Sequence, residues 1–237
     1  MSKDTFVFKR VEKKYLVSQL EKDRLITEIS DYLIPDRYGK STICSVYLDT
    51  PDFLIIRNSI EAKAYKEKLR LRCYGTPNGD DKVFFEIKKK YKGVVYKRRI
   101  SLTLKQAYDY LSKGIRPEES QIMNEIEYAM KFYRNPKPSM LISYERDAFY
   151  VKNMPNLRLT FDTNLRYRTD DLFLENGGYG KRILQDGNYI LEIKTDGAMP
   201  IWLSHALSRF EILPSSFSKY GTAYRETLTN IPELLTV

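Results

Sequence analysis

The sequence predicts an α+β fold, an eight-stranded antiparallel β-barrel that forms a tunnel with helices packed outside. Three observations lead there. Eight stretches alternate apolar and polar residues at period two, as strands with one face in a core do. Turn sequences separate several neighbouring stretches in the manner of hairpins. The polar faces are rich in lysine and arginine, and a closed barrel would give all of those faces one shared interior.

The chain has 237 residues, enough for one large domain with a substantial core, taken as 1–237. Its formal charge of +9 predicts attraction to polyanions, whether nucleic acid, anionic membrane or phosphate compounds. Charge alone does not choose among them. Cys44 and Cys73 lie in apolar-patterned stretches without metal-site spacing and read as buried free thiols of a reducing compartment. Residues 1–10 lack the apolar run of a signal peptide, and no window approaches the roughly 20 apolar residues of a membrane span. The expectation is a soluble, cytoplasmic protein.

Taken in order, residues 6–17 read as a strand with Arg10, Glu12 and Lys14 on one face and Val11, Tyr15 and Val17 on the other. Ser18-Gln19-Leu20-Glu21 has capping-box form and opens a helix that Pro35 ends. A second strand covers 42–50, and a third, 67–74, sets Lys68, Arg70 and Arg72 against Leu69, Leu71 and Cys73. The turn Pro77-Asn78-Gly79-Asp80 leads into a fourth strand at 83–90. Phe84, Glu86, Lys88 and Lys90 share its polar face, and Gly93 marks the next turn.

The fifth strand, 94–102, offers two faces. Lys97, Arg99 and Ser101 are polar throughout, so this set is assigned inward. Helices follow at 104–113, capped by Thr103 and stopped by Gly114, and at 121–134. A sixth strand at 139–150 carries Tyr144 and Arg146, and a seventh at 157–164 carries Arg158, Thr160 and Asp162. After a loop-like stretch at 170–187, an eighth at 189–195 carries Glu192 and Lys194. The remainder is helical around Trp202 and Leu203, before Phe217-Ser218-Lys219-Tyr220.

The inward face of this barrel gathers many cations and four carboxylates, Glu12, Glu86, Asp162 and Glu192. Buried, unpaired charge costs several kcal/mol per ion, so the interior is expected to be wet and phosphate-filled rather than a core. Any one basic alternating strand is more often a solvated face. Five or more together favour an enclosed set. His205, in a helical pattern, reads as structural, and Asp170-Asp171 as a solvated loop pair.

Arg10-x-Glu12-x-Lys14, Lys68-x-Arg70-x-Arg72, Glu86-x-Lys88, Lys97-x-Arg99, Tyr144-x-Arg146, Leu191-Glu192-x-Lys194 and Phe217-Ser218-Lys219-Tyr220, in that order, resemble the VTC domain of polyphosphate polymerases, within the triphosphate tunnel metalloenzymes, also called CYTH-like. The resemblance spans about residues 6–225. It implies transfer of the γ-phosphate of ATP onto inorganic polyphosphate, with Mn2+ or Mg2+ as the divalent metal. It further implies that Arg70, Arg72, Lys88, Lys97, Arg146 and Lys219 act on the transferred phosphate. Arg10, Lys14, Lys68, Arg99, Tyr144, Arg158 and Lys194 would bind substrate, and Glu192 with Glu86 would hold the metal.

The first position differs from the Glu-x-Glu-x-Lys opening of the tunnel hydrolases, because Arg10 stands where they carry a carboxylate. That exchange favours a phosphate acceptor over water. The rival expectations are a metal-dependent tripolyphosphatase or nucleoside triphosphatase, and a non-catalytic binder of polyphosphate or RNA. No single-strand-binding signature is present, so nucleic acid is not expected as a partner. No protein partner is specified.

Overall fold

The computed structural model of the chain describes residues 11–61, 64–92 and 94–229. Arg10, the 6–10 part of the first expected strand and Gly93 lie outside the described residues. The strands are β1 (Val11–Ser18), β2 (Leu33–Pro35), β3 (Ser41–Asp49), β4 (Tyr65–Tyr74), β5 (Lys82–Tyr91), β6 (Val94–Thr103), β7 (Lys137–Val151), β8 (Met154–Arg168), β9 (Lys181–Arg182) and β10 (Asn188–Thr195). The helices are α1 (Gln19–Glu28), α2 (Leu54–Glu61), α3 (Leu104–Lys113), α4 (Gln121–Phe132), α5 (Ile201–Arg209) and α6 (Lys219–Thr229).

All pairings are antiparallel, in the order β1-β10-β8-β7-β3-β4-β5-β6, with β2 on β7 and β9 on β8. The sheet therefore has ten strands where eight were expected, and it is not a closed barrel. The two extra strands are three and two residues long, too short for alternation to register. Closure fails because the free edge of β1 is already taken. Tyr15 bridges to Pro214, and the Ser215 amide donates to the Lys14 carbonyl at 2.7 Å. An irregular segment thus occupies the place where β6 would have to pair, and the sheet is a deep trough.

Local signals fix most element ends. Ser18 and Glu21 form the expected capping box on α1, and Thr103 with Gln106 form another on α3. Gly114 ends α3 in the left-handed conformation, at φ +72°, which glycine adopts without a Cβ clash. Helix α1 stops at Glu28, not at Pro35. Leu33–Pro35 instead lies along β7, and the missing proline N–H is tolerated because β2 is an edge. Helix α2 was not expected. Its amides at Ile55 and Ile56 are held by the buried Asp49 carboxylate, at 2.8 and 3.0 Å, a contact disguised in sequence by the turn-like Asp49-Thr50-Pro51-Asp52.

The convex side of the trough carries two apolar clusters. Leu69, Leu71, Val83, Phe85, Ile87, Ile100 and Leu102 pack beneath α3 and α4. Tyr15, Val17, Leu159, Phe161, Leu191 and Ile193 pack beneath α1 and α5. Cys44 and Cys73 sit opposite one another on β3 and β4, both buried as free thiols. The fifth expected strand is oriented as assigned, with Ile100 and Leu102 in the core and Arg98 reaching Glu125 on α4 at 3.5 Å.

The concave side is not wholly wet, contrary to expectation. Tyr220, Ala223 and Tyr224 of α6, with Ile56 of α2, pack on Tyr47, Ile142, Leu165, Tyr167 and Ile190 to make a third apolar cluster. Part of the trough is plugged by a helix, and the charged residues occupy what remains.

Candidate functional site

What remains is a cavity of about 490 Å³ walled by β1, β3, β4, β5, β6, β7, β10, α2, the 215–218 segment and α6. Eleven lysines and arginines line it against two carboxylates, Glu12 and Glu192. Period-two alternation puts them there, since each apolar neighbour is drawn into the convex core and turns the cation inward.

One wall is built on Glu86 of β5, which is 1% exposed. Arg70, its cross-strand partner on β4, donates Nε and Nη2 to Glu86 Oε2 at 2.8 and 2.7 Å. Lys97 Nζ lies 2.6 Å from Oε1, and Arg72 Nε lies 4.0 Å from Oε2. Burial pushes the Glu86 carboxyl up, but Arg70, Arg72 and Lys97 outweigh it and hold it well below the usual carboxylate range. Arg72 is fixed by Ser45 Oγ at 3.1 Å and Tyr144 Oη at 3.2 Å, and Arg70 Nη1 donates to Tyr47 Oη at 3.0 Å.

The opposite wall is built on Asp162 of β8 and Glu192 of β10. Arg146 grips Asp162 with two bonds, at 2.6 and 2.7 Å, and reaches Glu192 at 3.5 Å. Lys219, the first residue of α6, lies 2.6 Å from Asp162 and 3.2 Å from Glu192. Lys194 donates to Glu192 at 2.9 Å. The ring of Tyr144 underlies both the Lys219 ammonium and the Arg146 guanidinium. Burial raises the Glu192 carboxyl, yet Lys219, Lys194, Lys14 and Arg146 hold it well below its usual range.

Glu12 of β1 joins the two walls. It lies 3.5 Å from Lys88 on β5 and 3.5 Å from Lys14, whose ammonium is 3.7 Å from Glu192. Burial opposes its ionisation, but Lys88, Lys194 and Lys14 bring it down to about 2 even against the neighbouring Glu192. The 215–218 segment closes the cavity from above. Phe217 accepts from Lys14 Nζ through its carbonyl at 2.8 Å, and Ser218 Oγ accepts from Lys68 Nζ at 2.9 Å and from the Gly221 amide at 3.1 Å, capping α6.

Of the residues expected at the site, Lys14, Lys68, Arg70, Arg72, Lys88, Tyr144, Arg146, Glu192, Lys194 and Lys219 line the cavity. Glu86 supports its wall from beneath. Lys97 is held behind Glu86. Arg99 packs on the Phe84 ring at 4.6 Å, and Arg158 is engaged by Asp36 at 2.7 Å, so neither lines the cavity. Tyr47, Lys66 and Arg225 line it without having been singled out. Lys66 continues the Lys68 alternation by one step and was legible, whereas Arg225 carries no local signal.

Among the described residues no group of three or more His, Cys, Asp or Glu converges as a metal-binding cluster. Among them, too, no helix is long and apolar enough to cross a membrane.

An antiparallel trough wrapped around a cation-lined cavity, with its carboxylates subordinate to the cations, defines a domain of the triphosphate-tunnel kind. The chain belongs to the VTC domain family, which it matches over residues 9–228. Two solved structures share the fold. One is a candidate adenylate cyclase from Bacillus halodurans, 16% identical, with 89% of this chain and 95% of that chain covered at a TM-score of 0.52. The other is a candidate adenylyl cyclase from Hippeastrum, described as having a dominant triphosphatase activity. It is 16% identical, with 92% of this chain and 96% of that chain covered at a TM-score of 0.51. No curated protein matches the chain by sequence.

Proposed function

We propose that the chain is an ATP-dependent polyphosphate polymerase, a single cytoplasmic domain over 1–237 that passes the γ-phosphate of ATP to inorganic polyphosphate. The observation that carries this reading is the balance of charge in the cavity. Cations exceed carboxylates severalfold, and Glu12, Glu86 and Glu192 are each ion-paired and held low. Such a site suits a triphosphate and disfavours general-base activation of water. A terminal phosphate oxygen is already anionic and attacks without a base.

In the step itself that oxygen forms a bond to the γ-phosphorus while the bond to the βγ-bridging oxygen breaks, and ADP leaves with the electron pair. Arg70, Arg72, Arg146, Lys88 and Lys219 stabilise the charge spread over the equatorial oxygens, with guanidinium groups giving bidentate contacts and ammonium groups acting as point charges. Lys97 acts through Glu86, holding it against Arg70. Lys14, Lys68, Tyr144 and Lys194 orient the phosphates. Arg99, packed on Phe84, and Arg158, paired with Asp36, lie outside the cavity lining.

A divalent cation, Mn2+ or Mg2+, fits the donor chemistry at Glu192 and Glu12, where hard oxygen donors at the cavity wall leave the remaining positions to phosphate and water. When bound, it would neutralise charge on the bridging phosphates. Glu86 is almost fully enclosed and does not line the cavity, so it is better suited to positioning Arg70 than to holding metal.

The second reading, a triphosphatase, draws on the activity described for the Hippeastrum protein. Incubation with ATP and Mn2+, resolved on a gel that separates polyphosphate by length, tells them apart. The polymerase gives a ladder and matching ADP. A triphosphatase gives free phosphate without a ladder, and a binder gives neither.

A further inference from the structure

The chain has two cysteines, and the fold sets them against each other. Cys44 and Cys73 are 29 positions apart in sequence yet stand directly opposite on β3 and β4, with the two thiols hydrogen-bonded to each other. Both are wholly enclosed on the convex side, and neither lines the cavity.

On the same ladder the Gly75 amide donates to the Thr42 carbonyl at 2.9 Å, so the 42/75 rung is a bonded one, and so is the 44/73 rung two residues further on. Residues facing across such a rung have Cα atoms about 5.5 Å apart, within the range that a disulfide spans. Their Cβ atoms stand about 5–5.5 Å apart, whereas a disulfide holds them at about 3.8 Å. Bridging therefore draws the strands together by roughly 1 Å, and a disulfide closed against that spacing is readily reduced again. The neighbouring rung is Ser45 opposite Arg72, whose 3.1 Å hydrogen bond fixes the guanidinium in the cavity wall. Cys73 and Arg72 are consecutive, so a shift of β4 at one is passed to the other.

The 171–180 segment covers the pair. Arg168 gathers it by donating to the carbonyls of Asp171, Phe173, Gly177 and Tyr179, and Ser143 donates to the Gly178 carbonyl at 2.6 Å. Gly178 lies against Cys44, where an added Cβ would stand 3.5 Å from the sulfur. Lifting the segment there uncovers Cys44 first. The hydrogen bond with Cys73 and the charge of Arg168 lower the Cys44 thiol against its burial, while the same bond and burial raise Cys73. Cys44 is thus the attacking sulfur and Cys73 the resolving one.

We propose that Cys44 and Cys73 are a site of reversible disulfide formation, oxidised by hydrogen peroxide entering beneath Gly178, and that the bridge weakens the hold of Arg72 on phosphate. The Cys44 thiolate attacks one peroxide oxygen and the O–O bond breaks, leaving a sulfenic acid, while the other oxygen takes up the thiol proton and departs as water. The Cys73 sulfur then attacks the Cys44 sulfur, the S–O bond breaks, and a second water leaves with the Cys73 proton. The two sulfurs give up two electrons and the peroxide gains them. A dithiol reductant restores both thiols by exchange and ends as its own disulfide. The effect on Arg72 rests on the triphosphate reading of the cavity; the bridge does not.

The test treats the folded protein with hydrogen peroxide, follows free thiols and the Cys44–Cys73 link by peptide mass mapping, and titrates tripolyphosphate calorimetrically before and after. The parent should convert both thiols to the link and recover them in dithiothreitol. Its tripolyphosphate affinity should fall about tenfold on oxidation, the scale of one charge-assisted contact, and return on reduction. Cys44→Ser should form no link and keep its affinity in peroxide. Ser143→Ala, which lacks the bond that pins Gly178, should oxidise several times faster to the same product.

Thiols that stay free in the folded parent while the unfolded chain bridges, two oxygens added to one cysteine in place of the link, or an unchanged rate in Ser143→Ala overturns the site. A link that leaves tripolyphosphate affinity intact, or an equal fall in Cys44→Ser, overturns its coupling to Arg72. If the link forms and reverses but neither state binds tripolyphosphate, the triphosphate reading fails while the disulfide stands.

Discussion

Replacing Glu86 by Gln separates a residue that holds the cations in place from one that holds metal. In the free protein Glu86 is almost fully enclosed and meets Arg70 through two hydrogen bonds and Lys97 through a close ion pair. Removing one partner of such a buried arrangement costs about 3–5 kcal/mol. The amide oxygen keeps one acceptor and recovers about 1 kcal/mol, leaving a loss of about 2–4 kcal/mol. At about 2–4 °C per kcal/mol for a chain of this size, the melting temperature should drop by about 5–15 °C.

Tripolyphosphate should restore more stability to this variant than to the parent, because the freed Arg70, Arg72 and Lys97 gain phosphate oxygens as partners. Denaturation with and without tripolyphosphate reads both effects. Metal-dependent transfer, measured well below the new melting temperature, should persist. A variant with parental stability and no metal-dependent turnover would refute the reasoning, since Glu86 would then be a metal ligand and not the anchor of Arg70.

Three further outcomes follow from the same charges. Glu192→Gln should abolish metal-dependent phosphoryl transfer while leaving tripolyphosphate binding intact or tighter; elongation at the parental rate would remove Glu192 from the metal site. Burial lowers the Lys68 ammonium to about 8, with Lys14, Lys88 and Arg70 adding to it against Tyr47. The Tyr47 phenol also falls to about 8, because Arg70, Lys68 and Arg72 overcome its burial. As pH rises through 8 the site loses a positive charge or gains a negative one, so tripolyphosphate affinity should fall about tenfold or more between pH 7 and 9.5. Over pH 8–10 the unfolded chain binds more protons at these two groups than the native one, so the free protein should become more stable; affinity and stability rising together would sink the assignment. Finally, tripolyphosphate or sulfate should raise the melting temperature well beyond chloride at matched ionic strength, and equal shifts for the three would place the basic face in bulk solvent.

How much of this was legible in the sequence depends on the range of the forces involved. Lys68, Arg70 and Arg72 were readable because Leu69, Leu71 and Cys73 alternate with them, and burial of the apolar set leaves the cations no other side. The capping boxes at Ser18 and Thr103 were readable for the same local reason. Arg158 was not, since its partner Asp36 is 122 positions away and draws it out of the cavity. Nor was the plug of α6, because Tyr220 is held by stacking on Tyr47 and by its bond to Asp49, both remote in sequence. Closure of the barrel was over-read. The eight long strands follow from periodicity and the two short ones do not, while whether the two edge strands meet depends on what else competes for them, here Pro214 and Ser215 on β1.

That competing segment also sets a timetable for synthesis. Lys14 and its carbonyl partner Phe217 are separated by 203 positions. At roughly 5–20 residues per second, a ribosome makes the second about 10–40 s after the first. Between synthesis of Tyr91 and of Asp162, 71 positions later, the β4–β5 hairpin exists with its lysines and arginines while Asp162, Glu192 and the covering segment do not. The first 100 residues carry 23 lysines and arginines against 14 aspartates and glutamates, the same formal +9 as the whole chain on less than half its length, so polyanions should be drawn to the nascent chain before it can fold.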